Sequence, residues 1–321
     1  VVVSNWLAEL DGRRVTVEVP ASSANLGAGY DCLGLALDLV NRIDLEVRGW
    51  SRGSVELEID GEGANELSDD RQNRFIQGLE AALVAVRGEL PDKVGWRVSM
   101  RNRIPLSRGL GSSAAATIGG LIAGNALVGG PLSPPELLKL ATDIEGHADN
   151  AAAALLGGFV VVDCSASPPT AIRFNVPRDL KVVLFIPELR LSTANMRDIL
   201  PKTVPIEDAI ANLGRVAIGV AGIASGTYEH LGALTQDRIH EPYRAAVYPQ
   251  FPALVQAARD AGAVGACLSG AGSSVIAFAD GLATLTRIEG AFSAVAADLD
   301  VPGRVAIAAP RNAGARVVAN A

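Results

Sequence analysis

Aromatic residues are scarce in this sequence: Trp, Tyr and Phe together make 4% of its 321 residues. The interior must therefore be filled by Ala, Val and Leu, which suits helices packed on sheets. A hydrophobic share of 49% excludes a disordered chain. Cysteine is scarce too. Cys32, Cys164 and Cys267 stand far apart, so neither a disulfide framework nor a zinc cluster is expected, and all three are read as buried thiols of a reducing compartment. No Lys- or Arg-rich run occurs and the formal net charge is −7, so the basic face that a nucleic-acid surface needs is missing. Long apolar runs are also missing. The longest, 151–162, is bounded by Asp149, Asn150 and Asp163 and is too short for a bilayer. The opening VVVSNWLAELDG carries Glu9 and Asp11 and has no positive segment ahead of an apolar core, so no signal peptide is expected. These absences leave a cytoplasmic globular protein, with no membrane and no nucleic acid as partner.

What is present is a mixture of strands and helices, in a chain long enough for about two domains. Strand-like runs stand at 13–19, 44–47, 55–59 and 96–101. Residues 73–87 place Phe75, Ile76, Leu79, Leu83 and Val86 at helical spacing. A glycine-rich turn at 109–112 leads into an Ala-rich helix reaching about Val128. Ser133-Pro134-Pro135-Glu136 is a helix start with a capping box and a first-turn proline, and the helix it opens ends near His147. A short helix at 150–156 and a strand at 159–163 follow. The Ser- and Pro-rich segment 165–178 reads as a domain junction. Beyond it come strands at 181–186, 264–268, 274–279 and 304–308, with helices around 205–224, 249–261 and 285–299. Regular βαβ units are too few for a doubly wound sheet, so the fold class is α+β in two lobes, and no repeat period suggests a solenoid.

Three loops carry glycines two apart among small polar residues: Asn25-Leu26-Gly27-Ala28-Gly29-Tyr30-Asp31, Gly109-Leu110-Gly111-Ser112-Ser113 and Ser269-Gly270-Ala271-Gly272-Ser273-Ser274. Glycine allows positive φ and close backbone approach, as an anion cradle requires. One such loop is ordinary turn chemistry; three in one compact chain point to a shared pocket. The middle loop follows Pro105 and opens a long helix near Ser112 and Ser113, so unpaired N–H groups and the helix dipole make an anion site there. Arg108 stands where a positive charge could assist. A Walker A loop is excluded, because no lysine follows these glycines. Gly109-x-Gly111-x-x-Ala114 fits a dinucleotide fingerprint, but Pro105-Leu106-Ser107-Arg108 separates it from the preceding strand. The acidic residue expected about 20 positions on is absent too. A nucleophile elbow at Ser269 fails, since Cys267 stands where glycine is required.

The segment PLSRGLGSSAAA (105–116) resembles the phosphate-binding motif of the GHMP family of small-molecule kinases, and GACLSGAGSS (265–274) resembles its C-terminal glycine motif. Three further segments are similar to the branch of that family that phosphorylates homoserine. They are VPASSANLGAGYDCLGLALDL (19–39), EGHADN (145–150) and STANMRDILP (192–201). The likeness runs through nearly the whole chain in order. It implies a two-lobed GHMP kinase fold, with an N-terminal ATP-binding domain (1–170) like ribosomal protein S5 domain 2 and a ferredoxin-like C-terminal domain (171–321). It implies ATP with Mg²⁺ and L-homoserine as the acceptor, giving O-phospho-L-homoserine on the route to threonine, and a homodimer. Two departures stand out: Ala148 where proline is usual, and Ser273-Ser274 where Pro-Thr or Pro-Ser is commoner. A sister kinase for another alcohol, or a member that binds without transferring, is the alternative.

The resemblance also implies roles, residue by residue. Asn25 and Asp31 match positions that hold the amino acid, a carboxylate being a natural partner for its ammonium. Arg197 and Arg244 match positions that clamp its carboxylate, which a planar guanidinium can hold twice. His147 and Thr193 are implied beside the substrate, Thr193 also beside the nucleotide. Glu145, with Ser112, matches the Mg²⁺ position, and one carboxylate with phosphate oxygens and waters satisfies that ion. Asn73 is implied near adenine, and Pro105, Arg108, Gly109, Leu110, Gly111, Ser112 and Ser113 around the phosphates. Where some family members offer an aspartate base, this chain has Asn150, with Asp149 one residue off. No dedicated carboxylate base is therefore expected, and catalysis rests on Glu145, Arg197, Asn150 and positioning.

Overall fold

The computed structural model describes residues 6, 8–48, 54–90, 94–177 and 179–321. Residues 1–5 and 7 of the opening segment, and Arg178 of the expected junction, lie outside that set. The chain begins with two long strands, β1 (Arg14–Ala24) and β2 (Leu33–Arg48), paired antiparallel from Arg14↔Glu46 to Ala24↔Gly34. Then come β3 (Val55–Gly61), α1 (Arg74–Arg87), β4 (Gly95–Asn102), α2 (Ser112–Leu127), α3 (Pro134–Glu145), α4 (Asp149–Leu156), β5 (Phe159–Asp163) and β6 (Thr170–Phe174).

Local signals and packing agree along this half. Asn73 accepts the Phe75 N–H at 3.0 Å and caps α1, whose Phe75, Ile76, Leu79 and Leu83 are buried as the periodicity predicts. Full burial of each such side chain contributes roughly 1.5–3 kcal/mol. The capping box of α3 forms, with Glu136 Oε2 accepting the Ser133 N–H at 2.8 Å. By contrast α2 has no one-sided apolar stripe, and 11 of its 16 residues are buried, which makes it the central helix of the lobe. A Cβ on Gly120 would overlap the Phe75 carbonyl, and one on Gly78 would overlap the Thr117 carbonyl. Helices α1 and α2 therefore meet backbone to backbone.

The second half runs β7 (Lys181–Pro187), α5 (Thr193–Asp198), α6 (Ile206–Ser225), α7 (Leu231–Leu234), α8 (Glu241–Arg244), α9 (Phe251–Asp260), β8 (Gly265–Leu268), β9 (Val275–Ala279), α10 (Leu282–Asp298), β10 (Gly303–Ala308) and β11 (Arg316–Asn320). With α5–α8 set aside as an insertion, the order is βαββαβ, and the sheet reads β10-β7-β9-β8 with every pair antiparallel. That is the ferredoxin-like arrangement. Its core gathers Phe185, Phe251, Leu254, Val275, Ile288 and Phe292.

The first sheet has the order β11-β1-β2-β4-β3, with β5 on the end of β2 and β6 on β5. The division expected at 170/171 falls at the start of β6, and β11 carries the last residues back to β1. Neither β6 nor β11 was expected. Thr170–Phe174 sits in a Ser- and Pro-rich stretch, and Arg316–Asn320 is exposed throughout, so neither shows a buried alternation. The cysteines need a correction. Only Cys267 is buried; Cys32 is half-buried and Cys164 exposed, because the latter falls just beyond the end of β5. All three are free thiols, and no described helix is long and apolar enough to cross a membrane.

Candidate active site

The three glycine loops come together between the lobes. Ser22 donates its N–H to the Leu110 carbonyl at 3.1 Å, and Gly270 donates its N–H to the Ala24 carbonyl at 3.0 Å. The Ser269 hydroxyl donates to the Gly109 carbonyl at 2.7 Å, and the Asn25 amide donates to the Gly270 carbonyl at 2.9 Å. The contacts are this close because glycine stands at each crossing. A Cβ on Gly109 would overlap the Ser269 carbonyl, and one on Gly111 would overlap the Ser22 hydroxyl. Both glycines hold φ of +70°, left-handed backbone that L side chains avoid. Gly111 is the N-cap of α2, so the exposed N–H groups of the first turn face the space the loops enclose.

That space is a cavity of about 530 Å³. Pro105, Arg108, Gly109, Leu110, Gly111, Ser112 and Ser113 line one end of it, and Asn25, Asp31, Arg197 and Arg244 the other, with Glu145, His147, Asn150 and Thr193 between them. Of the residues singled out in the sequence, only Asn73 lies elsewhere. It lines an adjoining pocket of about 240 Å³ that shares Arg74, Ser107, Ser112 and Ser113 with the first. Both ends of the Asn73 side chain are engaged, by the Phe75 N–H and by the Ser68 carbonyl at 2.8 Å.

Glu145 is oriented at the end of α3 by α2. Its Oε1 accepts from Thr117 Oγ1 at 2.6 Å and from Ser113 Oγ at 3.0 Å, while Arg74 Nε stands 3.8 Å off. Oε2 takes no hydrogen bond among the described residues, so one carboxylate oxygen is left for a cation; the set of residues fits Mg²⁺. Thr117 and Arg74 were not foreseen. The spacing of Thr117, four residues after Ser113 on one helix face, was the available signal.

At the other end the charged groups engage each other. Arg197 and Asp31 pair through two hydrogen bonds, Nη1 to Oδ2 at 2.8 Å and Nη2 to Oδ1 at 2.6 Å. The carboxylate raises the guanidinium pKa, against the opposing effect of burial. Asp31 is placed by Asn25, whose Oδ1 accepts the Asp31 N–H at 3.0 Å. Arg197 stands in the last turn of α5, which Ser192 caps and Thr193 begins. Arg244 is only 1% exposed; its Nη1 donates to the Gly270 carbonyl at 2.8 Å. The guanidinium carbons of Arg197 and Arg244 lie 5.5 and 5.6 Å from the centre of the Tyr30 ring, so one aromatic ring serves both arginines.

Arg108 behaves differently from the expectation of a free charge beside the phosphates. Its Nε and Nη2 donate to the Pro187 and Glu188 carbonyls, each at 2.6 Å, and its Nη1 to the Leu106 carbonyl at 3.1 Å. The side chain thus ties the glycine loop to the end of β7. His147 Nδ1 stands 3.2 Å from Asp149 Oδ1, a charge contact without hydrogen-bond alignment. The Asp149 side chain raises the imidazole pKa, while burial opposes it. Asp149 also accepts the Asn150 N–H at 2.7 Å, and Asn150 Oδ1 accepts from Ser22 Oγ at 2.9 Å.

Comparison with known proteins places the chain in a family. Residues 75–158 match the GHMP kinases N terminal domain, and residues 220–298 match the GHMP kinases C terminal domain. A homoserine kinase of Caldicellulosiruptor bescii is 43% identical over 271 residues, covering 83% of this chain and 84% of that protein. Another, from Moorella thermoacetica, is 40% identical over 302 residues, 94% of this chain and 99% of that protein. The crystal structure of homoserine kinase from Cytophaga hutchinsonii superposes with a TM-score of 0.84 at 30% identity, covering 95% of this chain and 97% of that one. The chain belongs to the GHMP kinase family, among its homoserine kinases.

Proposed function

We propose that this chain transfers the γ-phosphoryl group of ATP to the side-chain hydroxyl of L-homoserine, releasing O-phospho-L-homoserine and ADP. The observation that carries this is one cavity with a helix N-terminus at one end and a carboxylate with two guanidinium groups at the other. The first end suits a polyphosphate. The second suits an amino-acid zwitterion, which offers an ammonium to Asp31 and a carboxylate to Arg197 and Arg244. Mevalonate and sugars lack the ammonium, so a sister kinase fits the Asp31 end less well.

In this reading the N–H groups after Gly111 and the hydroxyls of Ser112 and Ser113 hold the phosphates, while Thr193 lies over them. The adjoining pocket beside Asn73 takes the base of the nucleotide. Glu145 holds Mg²⁺ through its free oxygen, with Ser112 beside it. The ion, when bound, neutralises charge on the phosphate oxygens. Asn25 and His147 border the amino acid, and Asn150 faces the accepting hydroxyl. Asp149 meets the Asn150 N–H and His147 through Oδ1 alone, and the reading of transfer without a dedicated carboxylate base rests on Asn150 standing where an aspartate base would. Such a step is workable because the loose transition state needs little activation of the attacking oxygen. Positioning and charge stabilisation then supply the rate.

A second copy of the chain is proposed as partner for α6. Its Ile206, Ile210 and Leu213 are 61–70% exposed along one face. Light scattering of wild type and Leu213→Glu tests it: a dimer dissociated by the substitution is expected, and a monomeric wild type refutes it.

The activity is tested by coupled ADP release with Mg-ATP and a panel of L-homoserine, L-threonine, mevalonate and galactose. Turnover on homoserine alone is expected. Release on another alcohol would overturn the roles given to Asp31, Arg197 and Arg244. Silence on all four, in folded protein, would favour a member that only binds.

A further inference from the structure

Beneath the amino-acid end lies a buried polar network that the site residues themselves do not explain. Asp237 Oδ2 accepts three main-chain N–H groups, from Ile239 at 3.1 Å, His240 at 2.7 Å and Glu241 at 2.7 Å. Its Oδ1 accepts from the Asn212 amide of α6 at 2.6 Å, and the same amide donates to the Ala28 carbonyl at 3.2 Å. The network fixes the turn into α8, and with it His240, whose side chain is fully buried. His240 Nε2 lies 2.8 Å from the Gly27 carbonyl oxygen, and its Nδ1 lies 3.0 Å from Arg244 Nη1.

These two contacts admit one protonation state. A guanidinium has donors only, so Nδ1 must accept; a carbonyl oxygen has acceptors only, so Nε2 must carry the proton. The imidazole is neutral, in the Nε2–H form. Burial pushes its pKa down to about 4, with the Arg244 charge acting the same way and Asp237 opposing. The ring joins Gly27, in the loop that carries Asn25 and Asp31, to Arg244. Arg244 is otherwise held by the Gly270 and Met196 carbonyls, and its Nη2 has no hydrogen bond among the described residues. Tyr30 lies over the assembly, its ring centre 5.1 Å from that of His240.

We propose that His240 is a positioning residue of the amino-acid subsite: it spans the Gly27 carbonyl and the Arg244 guanidinium, and so sets the separation between the group that takes the ammonium and the group that takes the carboxylate. The proposal rests on the homoserine reading above. It assigns His240 to recognition of the α-amino acid and gives it no part at the phosphate end, where none of its contacts lie.

The test has two arms. The first uses His240→Gln, which can still donate to Gly27 but lacks an acceptor where Nδ1 stands. KM for homoserine should rise about 30-fold, the effect of one lost hydrogen bond to a charged group. KM for ATP and kcat should change less than about threefold. Introduced into Arg244→Ala, the same substitution should add less than about threefold, because the two residues act as a unit. Equal rises in both KM values, or full additivity with Arg244→Ala, would overturn the proposal. The second arm holds even where the variant fails to fold. The chain has only three histidines, so ring ¹⁵N spectra of histidine-labelled wild type at neutral pH can be assigned one by one. One ring should show an unprotonated Nδ1 and a protonated Nε2; the opposite tautomer at His240 refutes the proposal outright. A wild type inactive on homoserine but carrying the expected tautomer faults the substrate reading and leaves the Gly27–Arg244 link standing.

Discussion

The two ends of the cavity grip by different means. At the phosphate end the groups are main-chain N–H donors at the start of α2, held by Gly109 and Gly111 in left-handed backbone against Ser269 and Ser22. At the proposed amino-acid end they are charged side chains from three separate segments, and two of them, Asp31 and Arg197, already satisfy each other. A backbone cradle is specified by shape and is spoiled by a single added carbon. On the proposed reading a charge pair is specified by exchange: an incoming zwitterion would replace one ion pair with two new ones, and only a ligand carrying both signs would recover what is broken. Shape would then set the tolerance at one end, and charge the selectivity at the other.

Crossed substitutions can break that contrast. Gly109→Ala places a carbon against the Ser269 carbonyl and forces alanine to φ of +70°; the two penalties together suggest a loss of about 1000-fold in kcat/KM for ATP. KM for homoserine should hardly move, and equal damage to both substrates would erase the distinction. Arg197→Lys keeps the charge but loses the two-pronged contact with Asp31. Steady-state kinetics should show KM for homoserine up by about 100-fold with KM for ATP unchanged. Asp149→Asn separates positioning from proton abstraction. Turnover within about tenfold of wild type is expected, whereas a fall near 1000-fold in folded protein would restore a carboxylate base.

The smallest effect concerns stability alone. Burial raises the Glu241 carboxyl to about 8, and the Leu268 N–H it accepts at 2.7 Å only partly offsets this. With the folded pKa above the unfolded one, this group's contribution is fully present below about pH 4.5 and is lost as pH rises through 8. Glu241→Gln should melt several degrees above wild type at pH 8.5 and level with it at pH 4.5, as scanning calorimetry would show. A gap independent of pH would mean that Glu241 is ionised in the fold.

How much of this could be read beforehand depended on the range of the interaction. The cap of α1, the capping box of α3 and the buried face of Phe75, Ile76, Leu79 and Leu83 are signals within a few residues, and they were legible. The three glycine loops were legible as candidates for one pocket because each carries its own backbone demand. Strand β11 was not, since its only reason to exist is the edge of β1 some 300 residues earlier. Arg108 illustrates the same limit. Its charge was visible, yet its partners are the carbonyls of Pro187 and Glu188 in the other lobe. His240 stands four residues before Arg244, on the same side of a helical turn, but nothing in HEPYR announces Gly27 as its second partner.

The return of the chain through β11 has a mechanical consequence. The path crosses between the sheets twice, near Val176 and near Asn312, and the two crossings are laced together: the Asn312 amide accepts the Val176 N–H at 2.8 Å and donates to the Val176 carbonyl at 2.7 Å. Two tethers bound side by side hold more firmly than either strand of chain alone. Sliding and twisting of one lobe past the other are resisted there, and the buried apolar residues of β1, β2 and α4 run on into those of β7 and β9 as one core. At the cavity the same seam is closed by polar ties from Arg108, Asn25 and Ser269, so the loops that line it are braced from both lobes.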